Sequence, residues 1–178
     1  MPPIVRAVIS WAIALWACRV FLQSLPYKYS LHPDTQHIFG TIGEWISGFL
    51  GPAIGNAFSN FGSYVVGTFE LATSVVLLVP AVLWVLRKAL GKPTSGIRAK
   101  YHTIGGLMAA MVMGGAVFFH LFSPLGIEVL HEGENDGGSL FYAALSILIG
   151  GITLFFVNRS ASSTVSYETT GENSSEQS

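Results

Sequence analysis

Four long apolar runs, separated by polar or turn-rich stretches, dominate the chain. They cover approximately Ile4 to Leu25, Gly62 to Leu86, His102 to Phe122 and Ser139 to Val157. Each is long enough to cross a hydrocarbon core, which needs about 20 apolar residues at about 1.5 Å rise. Between the first two runs, Ile38, Phe39, Ile42, Trp45, Ile46, Phe49 and Leu50 recur at helical spacing, predicting an amphipathic helix, either interfacial or re-entrant. Pro52 breaks that pattern, and a second short helix is expected from about Ala53 to Phe61. The predicted fold is all-α, a four-transmembrane-helix bundle over residues 1–158 with this short helical segment between helices 1 and 2. A polar tail over 159–178, rich in Ser, Thr and Glu, is expected to be disordered and cytoplasmic.

Composition agrees with the pattern. The 178 residues are 51% hydrophobic and 11% charged, against about 25% charged in soluble domains. The basic residues are unevenly placed. Arg6 precedes the first run, Arg87, Lys88, Lys92, Arg98 and Lys100 lie between the second and third, and Arg159 follows the fourth. The opposite loops carry Asp34, Glu44, Glu128, Glu132, Glu134 and Asp136, with Lys28 as their basic residue. The positive-inside rule then puts both termini in the cytoplasm, and a bacterial inner membrane is the expected location. The net charge of −1 thus covers a polarised molecule, and no basic face favours nucleic acid. The basic loop is expected to touch anionic lipid head groups.

Small residues suggest where helices meet. Gly106, Ala110 and Gly114 share one face of span three, and Ala143, Ser146 and Gly150 offer a similar strip on span four. One cysteine, Cys18, excludes an intramolecular disulfide and a CxxC redox pair.

The candidate chemistry lies in ionisable groups within apolar runs, which are expensive in lipid unless partnered or hydrated. Arg19, Glu70 and His120 belong to three different spans, and all fall in the outer half of the bundle by residue count. Leu15, Arg19 and Gln23 share a face of span one, as do Gly67, Glu70 and Ser74 on span two; both faces are expected to point inward. Lys28 and Asp136 stand at the outer ends of spans one and four, as the rim of the same expected pocket. Two readings compete: an Arg19–Glu70 ion pair that fixes helix registration, or a site for ligand binding or proton handling. His32, Asp34, His37, His131 and Glu132 have no recognised ligand spacing, so no metal site is assigned and no catalytic residue is named.

The order of several short motifs resembles the DoxX family of small bacterial membrane proteins. The motifs are Arg19-Val20-Phe21-Leu22 followed by Lys28, and Phe69-Glu70 followed by Leu77-Leu78-Val79-Pro80. Gly115-Ala116 leading to His120-Leu121, and Asp136-Gly137-Gly138 followed by Phe141, complete the set. The chain departs from the family in lacking a glycine before Lys28 and in its longer Gly-rich linker before span two. The resemblance implies a four-helix inner-membrane bundle in a redox neighbourhood. On that basis the expected role is an accessory or quinone-interacting subunit of a membrane redox or oxidative-stress system. Arg19 and Lys28 would hold an anionic or carbonyl group there, and Glu70 with His120 would exchange protons. A non-catalytic assembly or interaction protein, and a small-solute or proton pathway, stand as alternatives. Membrane lipid, other membrane redox proteins and further copies of the chain are the expected partners.

Overall fold

A computed structural model describes the backbone of residues 1–175 and the side chains of residues 1–159. Five helices account for nearly all of it: α1 (Pro3–Tyr29), α2 (Pro33–Leu50), α3 (Pro52–Ala89), α4 (Ile97–Phe122) and α5 (Ser139–Ser175). A two-stranded antiparallel hairpin, β1 (Leu130–His131) and β2 (Glu134–Asn135), lies between α4 and α5.

Helices α1, α3, α4 and the Ser139–Arg159 part of α5 are each long and apolar enough to cross a membrane. The fold is therefore an all-α four-helix membrane bundle, and the chain is an integral membrane protein. The helices pack in the ring α1–α3–α4–α5, with α5 closing back on α1. Its core is built from Ala14, Ala17, Phe21, Leu77, Ala109, Met113, Ile147 and Leu154. The backbone of α5 continues as helix to Ser175. Apart from Arg159, the tail expected to be disordered falls on residues whose side chains lie outside those described.

Helices α4 and α5 approach closely. A Cβ on Gly151 would stand 2.6 Å from the Gly106 carbonyl oxygen and 2.8 Å from the Ala110 nitrogen, so only glycine lets the two backbones come this close. Gly106 and Ala110 thus let a neighbouring helix approach as expected, and that helix is α5, while Gly114 faces Leu148 across ordinary contact. The α5 strip differs from expectation. Gly151 makes the approach, Gly150 faces Ile13 of α1, and Ser146 is exposed, accepting a hydrogen bond from Trp16 Nε1 at 3.0 Å.

The separate helix expected over Ala53–Phe61 is the start of α3. Gly51, at φ 89°, turns the chain, and Pro52 occupies the first turn of the new helix, where its missing N–H costs nothing. Gly67 of α3 lies against Lys28 and Tyr29 at the end of α1, so the 15 residues of α3 before it lie past the level where α1 ends. Helix α2 packs antiparallel along this extension. The close contact runs through Gly43 and Gly55, and Phe39 lies against Gly62. The apolar face expected for α2 is present: Phe39, Ile42 and Ile46 are buried, and Ile42 and Ile46 cluster with Leu125 and Val129 of the α4–α5 connection. Together, α2, the start of α3 and the hairpin cap the acidic end of the bundle.

Candidate functional site

The capped end is organised around Glu70. Its residues 67, 70 and 74 turn inward as the periodicity implied: Gly67, Glu70 and Ser74 are all buried. The Lys28 ammonium lies 2.9 Å from Glu70 Oε2, with side-chain exposures of 16% and 4%. Ser24 Oγ is 2.8 Å from the same oxygen and 2.7 Å from the Phe21 carbonyl, so its single proton serves one or the other. Helix α1 brings Ser24 and Lys28 to this point because they lie one turn apart on the face that continues Ala14, Ala17 and Phe21. Just beyond, Tyr29 Oη shares a hydrogen bond of 3.2 Å with Thr68 Oγ1, tying the end of α1 to α3 on the other side of Gly67.

Arg19 is not part of this group. Leu15, Arg19 and Gln23 do share a face, but that face is exterior: all three are exposed, along with Trp16 and Leu22. Among the described residues, Arg19 makes no hydrogen bond or ion pair. The expected Arg19–Glu70 pair is replaced by Lys28–Glu70. The physical reason is packing: Ala14, Ala17 and Cys18 let α3 and α5 approach, and a stripe of Leu15, Trp16, Arg19 and Gln23 would hold them apart.

His120 and Asp136 are also placed elsewhere. The His120 ring is buried, donates through Nδ1 to the Gly126 carbonyl at 2.6 Å and packs edge-on against Phe141. It fastens the loop after α4 rather than joining the carboxylate. Asp136 accepts from the N–H groups of Val129, Gly138 and Leu140, each at 2.9 Å, and from Ser139 Oγ at 3.2 Å. Burial works against its charge, but these donors together hold its carboxyl below the ordinary carboxylate value. Its role is to cap α5.

The loop histidines gather around one carboxylate. Asp34 Oδ2 accepts from the Glu132 N–H and from His131 Nδ1, both at 3.0 Å, and His32 Nδ1 lies 3.4 Å away. Tyr27 Oη donates to Glu132 at 3.0 Å. These bonds pin the hairpin turn, where Glu132 and Gly133 both take positive φ, 53° and 84°, as a two-residue turn requires. His37 is exposed and apart from them. Among the described residues, no group of three His, Cys, Asp or Glu side chains is arranged to hold a metal.

A second polar group, at the opposite end of the bundle, has no counterpart in the sequence reading. Asn158 Nδ2 donates to Ser10 Oγ at 3.0 Å and to the Leu154 carbonyl at 2.9 Å, and Arg98 donates to Asn158 Oδ1 at 2.8 Å. His102, fully buried, lies beside it, edge-on to Trp11 at 4.7 Å. Its Nε2 is 3.2 Å from the Leu77 carbonyl, which can only accept, so Nε2 carries the proton and Nδ1 is left without a partner. The available signal was a polar residue near the basic end of three apolar runs, Ser10 and His102 inside theirs and Asn158 just past the last.

The bundle and its sites define an integral membrane protein with two polar clusters, one near each end. No family model, curated protein or solved structure matches the chain.

Proposed function

We propose that the chain is a non-catalytic assembly or interaction protein of the membrane, engaging its partner through the outer face of α1. The observation that supports this is the exposed Arg19, within an apolar span and unpartnered among the described residues. A charged residue at the centre of a span costs about 2.5–3.5 kcal/mol on insertion scales, and Arg19, in the outer half of α1, carries part of that cost. A carboxylate on a neighbouring transmembrane helix removes that cost, and Gln23, one turn further along the same stripe, adds a second polar contact. The Lys28–Glu70 pair belongs to this reading as the lock that holds α1 and α3 in register.

Resemblance to the DoxX family supports a membrane redox complex as the assembly, with a quinone held by the complex. A second copy of the chain is the other arrangement. Basic residues at the end opposite α2 support an inner-membrane location with cytoplasmic termini.

Photo-crosslinking from Gln23 in native membranes tests the proposal. The expected result is one discrete protein adduct that falls roughly tenfold in Arg19→Gln, a loss of about 1.4 kcal/mol. The melting temperature in detergent stays unchanged, because Arg19 supports nothing within the chain. Adduct mass separates a different protein from a second copy. Lipid adducts alone, or an adduct indifferent to Arg19, would overturn the proposal.

A further inference from the structure

At the basic end of the bundle a cavity of about 700 Å³ opens between the starts of α1 and α4 and the end of α3. That volume is in the range of small-molecule sites. One part of the wall is cationic and polar, formed by Arg6, Arg98 and Thr94; another is apolar and aromatic, formed by Trp11, Trp84 and Val85. Among the described residues the Arg6 guanidinium has no ion pair, and its Nε is buried without a hydrogen-bond partner. Arg98 is the only other charged side chain in the lining. It gives one N–H to Asn158, which leaves the rest of its fork uncommitted.

The backbone adds to this. Helix α4 begins at this wall with Gly96 as its N-cap and no side-chain cap, and Gly96, Ile97, Arg98 and Ala99 all line the cavity. First-turn N–H groups of a helix lack intrahelical acceptors and carry the positive end of its dipole. Two arginines, an uncapped helix start and an unpartnered buried Nε therefore converge on one hollow. Every Asp and Glu among the side chains described lies on α2, on α3 at Glu70 or on the connection before α5, and none of these lines the cavity.

We propose that this cavity binds the phosphate of an anionic phospholipid, with Arg6, Arg98 and the first turn of α4 holding the phosphate and Trp11, Trp84 and Val85 covering the start of its acyl region. A lipid, rather than a free phosphate compound, suits the wall, because the charged and apolar parts adjoin as they do in a lipid at the head-group boundary. Arginine suits the phosphate, since its planar fork meets two oxygens at once. The site is independent of the α1 stripe, so its failure would leave the proposed function standing, and the reverse holds too.

Native mass spectrometry of the purified full chain tests it, by titration with phosphatidylglycerol and separately with phosphatidylcholine. One phosphatidylglycerol is expected to bind at least roughly tenfold more tightly than phosphatidylcholine, with Arg6→Gln removing most of that preference. Arg6→Gln is the preferred variant because the side chain has no partner to lose. Ala7→Phe, which fills the cavity without altering charge, is expected to weaken both lipids, and Arg87→Gln, outside the lining, to change neither. Equal binding of the two lipids, or a preference that survives Arg6→Gln, would overturn the proposal. Displacement of the lipid by millimolar inorganic phosphate would overturn the lipid assignment and leave a site for phosphate itself.

Discussion

Removing Lys28 should be the most damaging single change at the capped end, and more damaging than removing the charge it neutralises. In Lys28→Met the Glu70 carboxyl, 4% exposed, loses its ammonium partner in a site that offers it only the shared proton of Ser24. Breaking a buried pair from one side typically costs about 3–5 kcal/mol, and since Lys28 is itself 16% exposed the lower end, about 3 kcal/mol, applies here. Glu70→Gln leaves an ammonium that can turn toward solvent, and its new carbonyl still accepts from Ser24. We expect about 1–2 kcal/mol for that change. The double variant Lys28→Met with Glu70→Gln should recover much of the loss, because no uncompensated charge remains. Reversible unfolding in mixed micelles, read for all four proteins as a double-mutant cycle, gives the comparison. Additive losses, or Glu70→Gln proving the costlier single change, would refute the geometry of the pair.

Two further changes probe other parts of the structure. Gly151→Ala forces a methyl group against backbone on α4, with no flexible side chain to yield, and should lower stability by about 1–3 kcal/mol. Gly115→Ala, on α4 with open space around it, should be neutral or stabilise by up to about 1 kcal/mol; melting curves in detergent compare the two. Acidification should loosen the hairpin only at low pH. The Glu132 N–H, followed by His131, holds the Asp34 carboxyl below its ordinary 3.8, so its contribution is fully present above 3.8 and is lost as pH falls through the lower folded value. Hydrogen exchange at the hairpin, corrected for intrinsic rates, should therefore accelerate below 3.8. Acceleration near the ordinary histidine value of about 6.5 would instead make His131 and His32 the controlling groups.

What the sequence revealed follows from which interactions are local. Spans were visible because apolar composition over about 20 residues is a local property, and the buried face of α2 was visible because Phe39, Ile42 and Ile46 repeat at helical spacing. Glu70 was found for the same reason, as a carboxylate in line with Gly67 and Ser74. The rotational phase of α1 was not legible. Two stripes compete there, Leu15–Arg19–Gln23 and Ala14–Cys18–Phe21, and the rule that polar groups face the interior selected the wrong one. Close packing decided otherwise, since small side chains are what another helix can approach. Pro52 was read as a break, although proline also starts helices, and here it starts the longest one, α3. The Ser10–Asn158 bond joins residues 148 apart, a pairing no periodicity can reveal.

The degree to which each polar group is satisfied separates structural from binding roles better than its depth does. Glu70 has an ammonium and a hydroxyl on one oxygen, His120 a carbonyl and an aromatic edge, and Asp136 four donors. These bonds fix where each side chain sits, although Glu70 Oε1 and His120 Nε2 make no hydrogen bond among the described residues. Arg19 and Arg6 are in the opposite condition, each cationic and each without an ion pair among the described residues. They also differ from one another. Arg19 projects from a convex helix face, which only another helix or a lipid can cover, whereas Arg6 borders a hollow of about 700 Å³ that a head group can enter. The unmet charge therefore points outward at two places, to a protein neighbour at one and to a phosphate at the other, while the Lys28–Glu70 pair holds α1 and α3 together.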